Sequence, residues 1–173
     1  MPTRREALTM AAVAVAAAAA GALVGPLALQ SQSGAAKLLS AVFPNLSGAP
    51  KRISDWRGSV LVCNFWATWC APCREEVPLL VALRENYAAK GVEVVGIGID
   101  NAAKIRQFSE DYRVTYPLLV ADATAMELMR DLGNDAGGLP FTVVYDRQGA
   151  IGYRRLGLLR EADLKRAIDG MLG

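Results

Sequence analysis

The chain has 173 residues, of which 53% are hydrophobic, 19 are Lys or Arg and 17 are Asp or Glu. That length and composition fit one domain with a full core. Setting aside Arg4, Arg5 and Glu6 leaves 17 basic against 16 acidic residues, a balance that excludes an electrostatic nucleic-acid binder. The sequence contains no histidine, which removes imidazole-based serine or cysteine catalysis, His-ligated haem and the usual catalytic zinc sites. Three cysteines are too few for a disulfide scaffold, and a zinc ribbon lacks its second pair.

Residues 1–29, "MPTRREALTMAAVAVAAAAAGALVGPLAL", carry two adjacent arginines, and no charge occurs from Ala7 through Ala36. This reads as an export segment with a basic start and an apolar stretch. "TRREAL" is similar to the twin-arginine export motif, although a plain Sec signal also starts with basic residues. Met10 to Leu29 is twenty uncharged residues, about the ~20 that cross a bilayer as a helix, so a cleaved signal peptide and a retained membrane anchor are both open. Either places the remaining chain outside the cytoplasm. Residues 30–40 are expected as a small-residue linker and 41–173 as the folded domain.

Within that domain, "VFPNLSGAPKRISDWRGS" is rich in turn residues and predicts short edge strands and loops. "VLVCNFWA" (60–67) is a continuous apolar run, expected as a central strand covered on both faces. A helix is predicted over about 70–90, with Val77, Leu80, Val81, Tyr87 and Ala88 on one face, and "VEVVGIGID" (92–100) as a second buried strand. Asp100 or Asn101 can cap the next helix, marked by Ile105, Phe108 and Tyr112. "YPLLVAD" (116–122) predicts a short strand, followed by a helix capped by Asp122 and carrying Ala125, Met129 and Leu132. "FTVVYDRQGAIGYRRLG" (141–157) reads as two strands joined by a turn at Asp146 to Gly149. The last helix, about 160–172, presents Leu164, Ala167, Ile168, Met171 and Leu172. The class is α/β, a mixed central sheet with helices on both faces.

The chemistry concentrates in "WATWCAPCREEVP" (66–78). Cys70 follows a buried strand and opens a helix, where unpaired N–H groups and the helix dipole favour thiolate over thiol. Cys73 lies one turn on, at a spacing that lets the pair close as a disulfide. Cys70 is thereby placed to attack and Cys73 to resolve the mixed disulfide, while Pro72 stiffens the first turn at no hydrogen-bonding cost. An inert structural disulfide is the weaker reading, because a loop this short constrains the unfolded chain little; a metal site would rest on one Cys pair without histidine. No metal and no cofactor are expected.

"NFWATWCAPCREEVP" resembles the active-site stretch of the thioredoxin fold, and within it the TlpA/ResA-like branch of extracytoplasmic thiol–disulfide oxidoreductases. Pro78 falls where the family has a kinking proline, and the chain from Cys73 to Pro140 is longer than in a minimal thioredoxin by about one strand–helix unit. "GGLPFTVVYD" (137–146) adds a second marker, since Leu139-Pro140 falls at the family's cis-proline. The resemblance implies that the Leu139 backbone pairs with an extended substrate segment beside Cys70. Where cytoplasmic thioredoxin has a buried Asp this chain has Asn64, and where the branch has a buried Glu it has Glu76. Glu76 is therefore the expected proton acceptor for Cys73, and Glu75 is expected to be solvated. Trp69 is expected on the substrate surface, with Cys63 and Trp66 in the core.

These readings imply a reductase of disulfides in exported proteins. The resemblance adds a membrane thiol electron donor, and cytochrome c maturation as a setting in which such proteins keep haem-attachment cysteines reduced. The expected partners are exported proteins held as mixed disulfides, the membrane if the N-terminal segment is retained, and no nucleic acid. A peroxiredoxin shares the fold, but this chain lacks its Pro-x-x-x-Thr-x-x-Cys stretch. A copper-delivery module would have a wider Cys spacing and a histidine.

Overall fold

The computed structural model describes residues 34–173; the export segment expected over 1–29 lies outside the described residues. Among the described residues no helix is long and apolar enough to cross a membrane.

Chain order gives helix α1 (34–40), then strands β1 (Val42–Pro44) and β2 (Pro50–Arg52), a 3₁₀ turn (Ile53–Trp56), β3 (Val60–Trp66) and α2 (Ala71–Tyr87). They are followed by β4 (Val92–Ile99), α3 (Ala102–Asp111), β5 (Leu118–Ala121), α4 (Ala125–Asp131), β6 (Phe141–Tyr145), β7 (Ile151–Leu156) and α5 (Glu161–Leu172). The main sheet runs β5-β4-β3-β6-β7. β4 is parallel to both β3 and β5, whereas β6 is antiparallel to β3 and to β7, so the sheet is mixed. β1 and β2 form a separate antiparallel hairpin whose Asn45 bridges to Leu119 of edge strand β5.

The fully buried β3 divides the core by alternation. Val60, Val62 and Trp66 pack with Val77, Leu80 and Leu83 of α2, Ile105 and Phe108 of α3, and Leu164 and Ile168 of α5. Leu61, Cys63 and Phe65 pack on the other face with Leu38 of α1 and Met129 of α4. Helices thus cover both faces, and period-two alternation puts Cys63 opposite Asn64. Gly96 and Gly98 of β4 admit the Trp66 ring, since a Cβ there would lie 3.1 Å from its Nε1 and 3.2 Å from its Cζ2.

The element expectations hold with local corrections. The 30–40 segment is not linker throughout, because 34–40 is helical and Leu38 is fully buried. α2 buries Leu83 and leaves Ala88 exposed, because the chain passes there into a 3₁₀ turn (Ala88–Lys90) that ends at Gly91 with φ +82, a left-handed position suited to glycine. The α4 cap is Thr124 rather than Asp122; Asp122 instead accepts from the Thr124 N–H at 2.9 Å, bracing the turn before the helix. Asn101 caps α3, accepting from Lys104 N–H.

Candidate active site

β3 ends at Trp66, and the turn that follows brings Cys70 to the N-cap of α2. Pro72 sits in the first turn, where a missing N–H leaves no bond unmade. Cys70 and Cys73 form a disulfide with Cα atoms 5.3 Å apart, and Cys70 Sγ accepts the Cys73 backbone N–H at 3.3 Å. Relative exposure separates the two only slightly, 5% against 2%. Position distinguishes them: Cys70 is the cap that meets the unpaired N–H groups of the helix end.

The turn before Cys70 is pinned. Thr68 Oγ1 donates to Asp100 Oδ2, and Asp100 Oδ1 pairs with Lys104 Nζ at 3.3 Å. The carboxyl is partly desolvated, yet its hydrogen bonds from Thr68 and Asn101 and the Lys104 charge hold it below the ordinary range. Trp69, beside Cys70, is 68% exposed, while Trp66 is buried against Phe108 with ring centroids 4.4 Å apart.

Glu76 lies one turn beyond Cys73 on the buried face of α2, and Glu75 is exposed. Glu76 Oε1 accepts from Asn64 Nδ2 at 2.7 Å, and Oε2 accepts from the Leu159 backbone N–H at 3.3 Å. Burial pushes its carboxyl up to about 7 against the pull of those two donors. Tyr116 is a titratable neighbour, its phenol raised by burial and then by the Glu76 charge.

The Leu139–Pro140 peptide bond is cis. Pro140 is buried, Leu139 half-buried, and Pro140 O accepts the Gly157 N–H at 2.8 Å. Asn134 clamps the approach from both sides, donating to Gly138 O at 2.8 Å and accepting Gly138 N–H at 3.2 Å.

The structure thus joins Cys70, Cys73 and Glu76 over the first two turns of one helix and supplies Asn64 as a hydrogen-bond donor to Glu76, with Leu139 and Pro140 leading into β6. Sequence reasoning missed Asn134, Thr142, Leu159 and the Thr68–Asp100 latch. Thr142, Leu159 and the latch pair with residues 78, 83 and 32 positions away, so no local pattern marks them, whereas Asn134 bonds Gly138 only four residues on. Cys63 is a buried free thiol that burial holds in the protonated form. Among the described residues no cluster of three or more His, Cys, Asp or Glu is placed to hold a metal.

A redox-closable Cys-x-x-Cys at a helix N-terminus, on a mixed sheet with a cis-proline before β6, defines a thiol–disulfide oxidoreductase of the thioredoxin fold. The model of the AhpC/TSA family matches residues 35–154, and the chain belongs to that family. It is 29% identical over 131 residues to the thiol-disulfide oxidoreductase ResA of Geobacillus kaustophilus, covering 75% of this chain and 73% of the relative. Identity to the thioredoxin-like protein YneN of Bacillus subtilis is 31% over 134 residues, covering 72% of each. Among solved structures, a secreted thiol-disulfide isomerase from Corynebacterium glutamicum superposes with a TM-score of 0.69 at 27% identity, covering 78% of this chain and 84% of that one. The ResA-like resemblance read from the active-site stretch is borne out.

Proposed function

We propose that the protein reduces disulfides in exported proteins outside the cytoplasm, with Cys70 as nucleophile, Cys73 as resolving thiol and Glu76 as proton acceptor. The observation that carries this reading is the Cys70 N-cap sulfur, bonded to Cys73 at one end of α2 with the Glu76 carboxyl one turn further on. In the reduced protein the Cys70 thiolate attacks one sulfur of a substrate disulfide. A bond forms between Cys70 and that sulfur, and the other substrate sulfur leaves as a thiolate. Cys73 then gives its proton to Glu76 and attacks Cys70. The second substrate sulfur departs and both leaving thiolates take up protons, so the substrate gains two electrons and the protein is left as the disulfide seen in the structure.

Returning those electrons requires a thiol donor, for which a membrane carrier is the partner the ResA-like resemblance implies. An extracytoplasmic location is supported by the Arg4-Arg5 start with its long uncharged stretch and by the secreted relative. The exposed Trp69 and the Leu139-Pro140 backbone form the surface against which an extended substrate segment lies. The haem-attachment cysteines of apocytochromes are one such substrate class.

Cys73→Ser is the test. Expressed in cells, it should retain partner proteins on Cys70 as mixed disulfides that a reductant releases, whereas Cys70→Ser should retain none. If wild type and both variants behave alike, the redox assignment fails.

A further inference from the structure

We propose that Asn64 is a positioning residue for the reaction, a buried amide that aims the Glu76 carboxylate and keeps it able to take the Cys73 proton. The inference rests on the reading of Glu76 as proton acceptor and goes beyond it. An amide transfers no proton, so the residue that occupies the place of thioredoxin's buried carboxylate has a different task here.

Three elements meet at this point. Asn64 of β3 directs both N–H bonds of one amide nitrogen, to Glu76 Oε1 of α2 at 2.7 Å and to Thr142 Oγ1 of β6 at 3.0 Å. All three side chains are buried. A charge-assisted bond of this kind is about twice as strong as a neutral one, and it forms only when Nδ2, not Oδ1, faces an ionised Glu76. Thr142 anchors the amide from the far side, and the Leu159 N–H holds the second carboxylate oxygen at 3.3 Å. Tyr116 is the titratable neighbour coupled to Glu76, and its phenol supplies no positive charge. Hydrogen bonds from Asn64 and Leu159 are therefore what offsets burial and keeps the carboxylate accessible near neutral pH. Loss of the Asn64 donor leaves Glu76 protonated, and unable to accept, over a wider pH range.

The test is the pH profile of the resolving step, followed by stopped flow as release of a synthetic peptide from its preformed mixed disulfide with Cys70. Wild type should show a break near 7 that Glu76→Gln removes. In Asn64→Leu the break should move up by at least one unit, making the step at least about fivefold slower at pH 7 with little change on the alkaline plateau. Asn64→Ser carries the same expectation should the leucine variant fail to fold, and Thr142→Val should shift the break in the same direction by less. A break that stays in place in the Asn64 variants, or a rate that falls equally at every pH, overturns the inference. Persistence of the break in Glu76→Gln overturns instead the reading of Glu76.

Discussion

At residue scale, a buried carboxyl with two N–H donors leaves a mark on stability. The Glu76 carboxyl is raised from an ordinary 4.5 to about 7, by burial first, with Asn64 and Leu159 opposing. Below pH 4.5 folded and unfolded chains both hold the proton, and the raised value costs nothing. Between 4.5 and 7 the unfolded chain releases its proton while the folded chain keeps it, so stability falls as pH rises through this window. Above 7 the loss is complete, and that interval corresponds to about 3 kcal/mol at most. Urea unfolding of the oxidised protein at pH 4.5 and at pH 8 should therefore show wild type losing up to about 3 kcal/mol more than Glu76→Gln between the two. Equal losses in the two proteins would mean that Glu76 ionises in the native state as it does in water.

At the scale of elements, α1 departs most from expectation. Residues 34–40 carry one adjacent pair of large apolar residues, Leu38 and Leu39, and seven residues are too few for a 3.6-residue period to show. Tertiary contacts make the helix: Leu38 is fully buried among α4 and sheet residues, Tyr145 Oη donates to Ala35 O at 3.2 Å, and Lys37 pairs with Asp131 at 2.7 Å. Leu38→Ala should thus cost about 2–5 kcal/mol in urea unfolding, with Leu39→Ala, at a half-buried position, costing less. An unchanged midpoint for Leu38→Ala would show that α1 contributes nothing to the domain. β3, β4, β6 and α2 are legible because apolar runs and periodic faces are local signals, and Cys70 and Cys73 because their spacing along one helix is local too; Pro140 and Glu76 come from the family resemblance that the active-site stretch carries. Asn64–Thr142 and Glu76–Leu159 pair residues 78 and 83 apart, and only the assembled sheet brings them together. In the sequence Asn64 is only an amide standing where thioredoxin has a carboxylate; its hydrogen bond to Glu76 emerges once β3 and α2 are packed together.

For the whole molecule, the direction of electron flow is a property of folding as much as of the two sulfurs. Reduction and unfolding form a cycle, so whichever redox state is more stable against unfolding is the state the fold favours. Closing a bond between residues three apart removes about 2 kcal/mol of entropy from the unfolded chain, the low end for a disulfide, and stabilises the oxidised protein by that amount. Opposing it, a Cys70 thiolate at the α2 N-terminus stabilises the reduced protein by about 0.3–1 kcal/mol, up to ~2 where partly buried. The neighbouring Glu76 weakens that gain, because its carboxylate disfavours a second negative charge. At the ordinary helix-dipole gain of about 0.3–1 kcal/mol the balance falls on the oxidised side, the side that the proposed reductase activity requires. Urea unfolding at pH 7 should accordingly find the oxidised protein more stable than the dithiol form by about 1 kcal/mol or more. The potential should lie well below the roughly −120 mV of a strong oxidant, in which the reduced form is the stabilised one. Since about 30 mV corresponds to 1.4 kcal/mol for two electrons, the two measurements check each other. A dithiol form more stable than the disulfide would reverse the assignment and make the protein a donor of disulfides to its substrates.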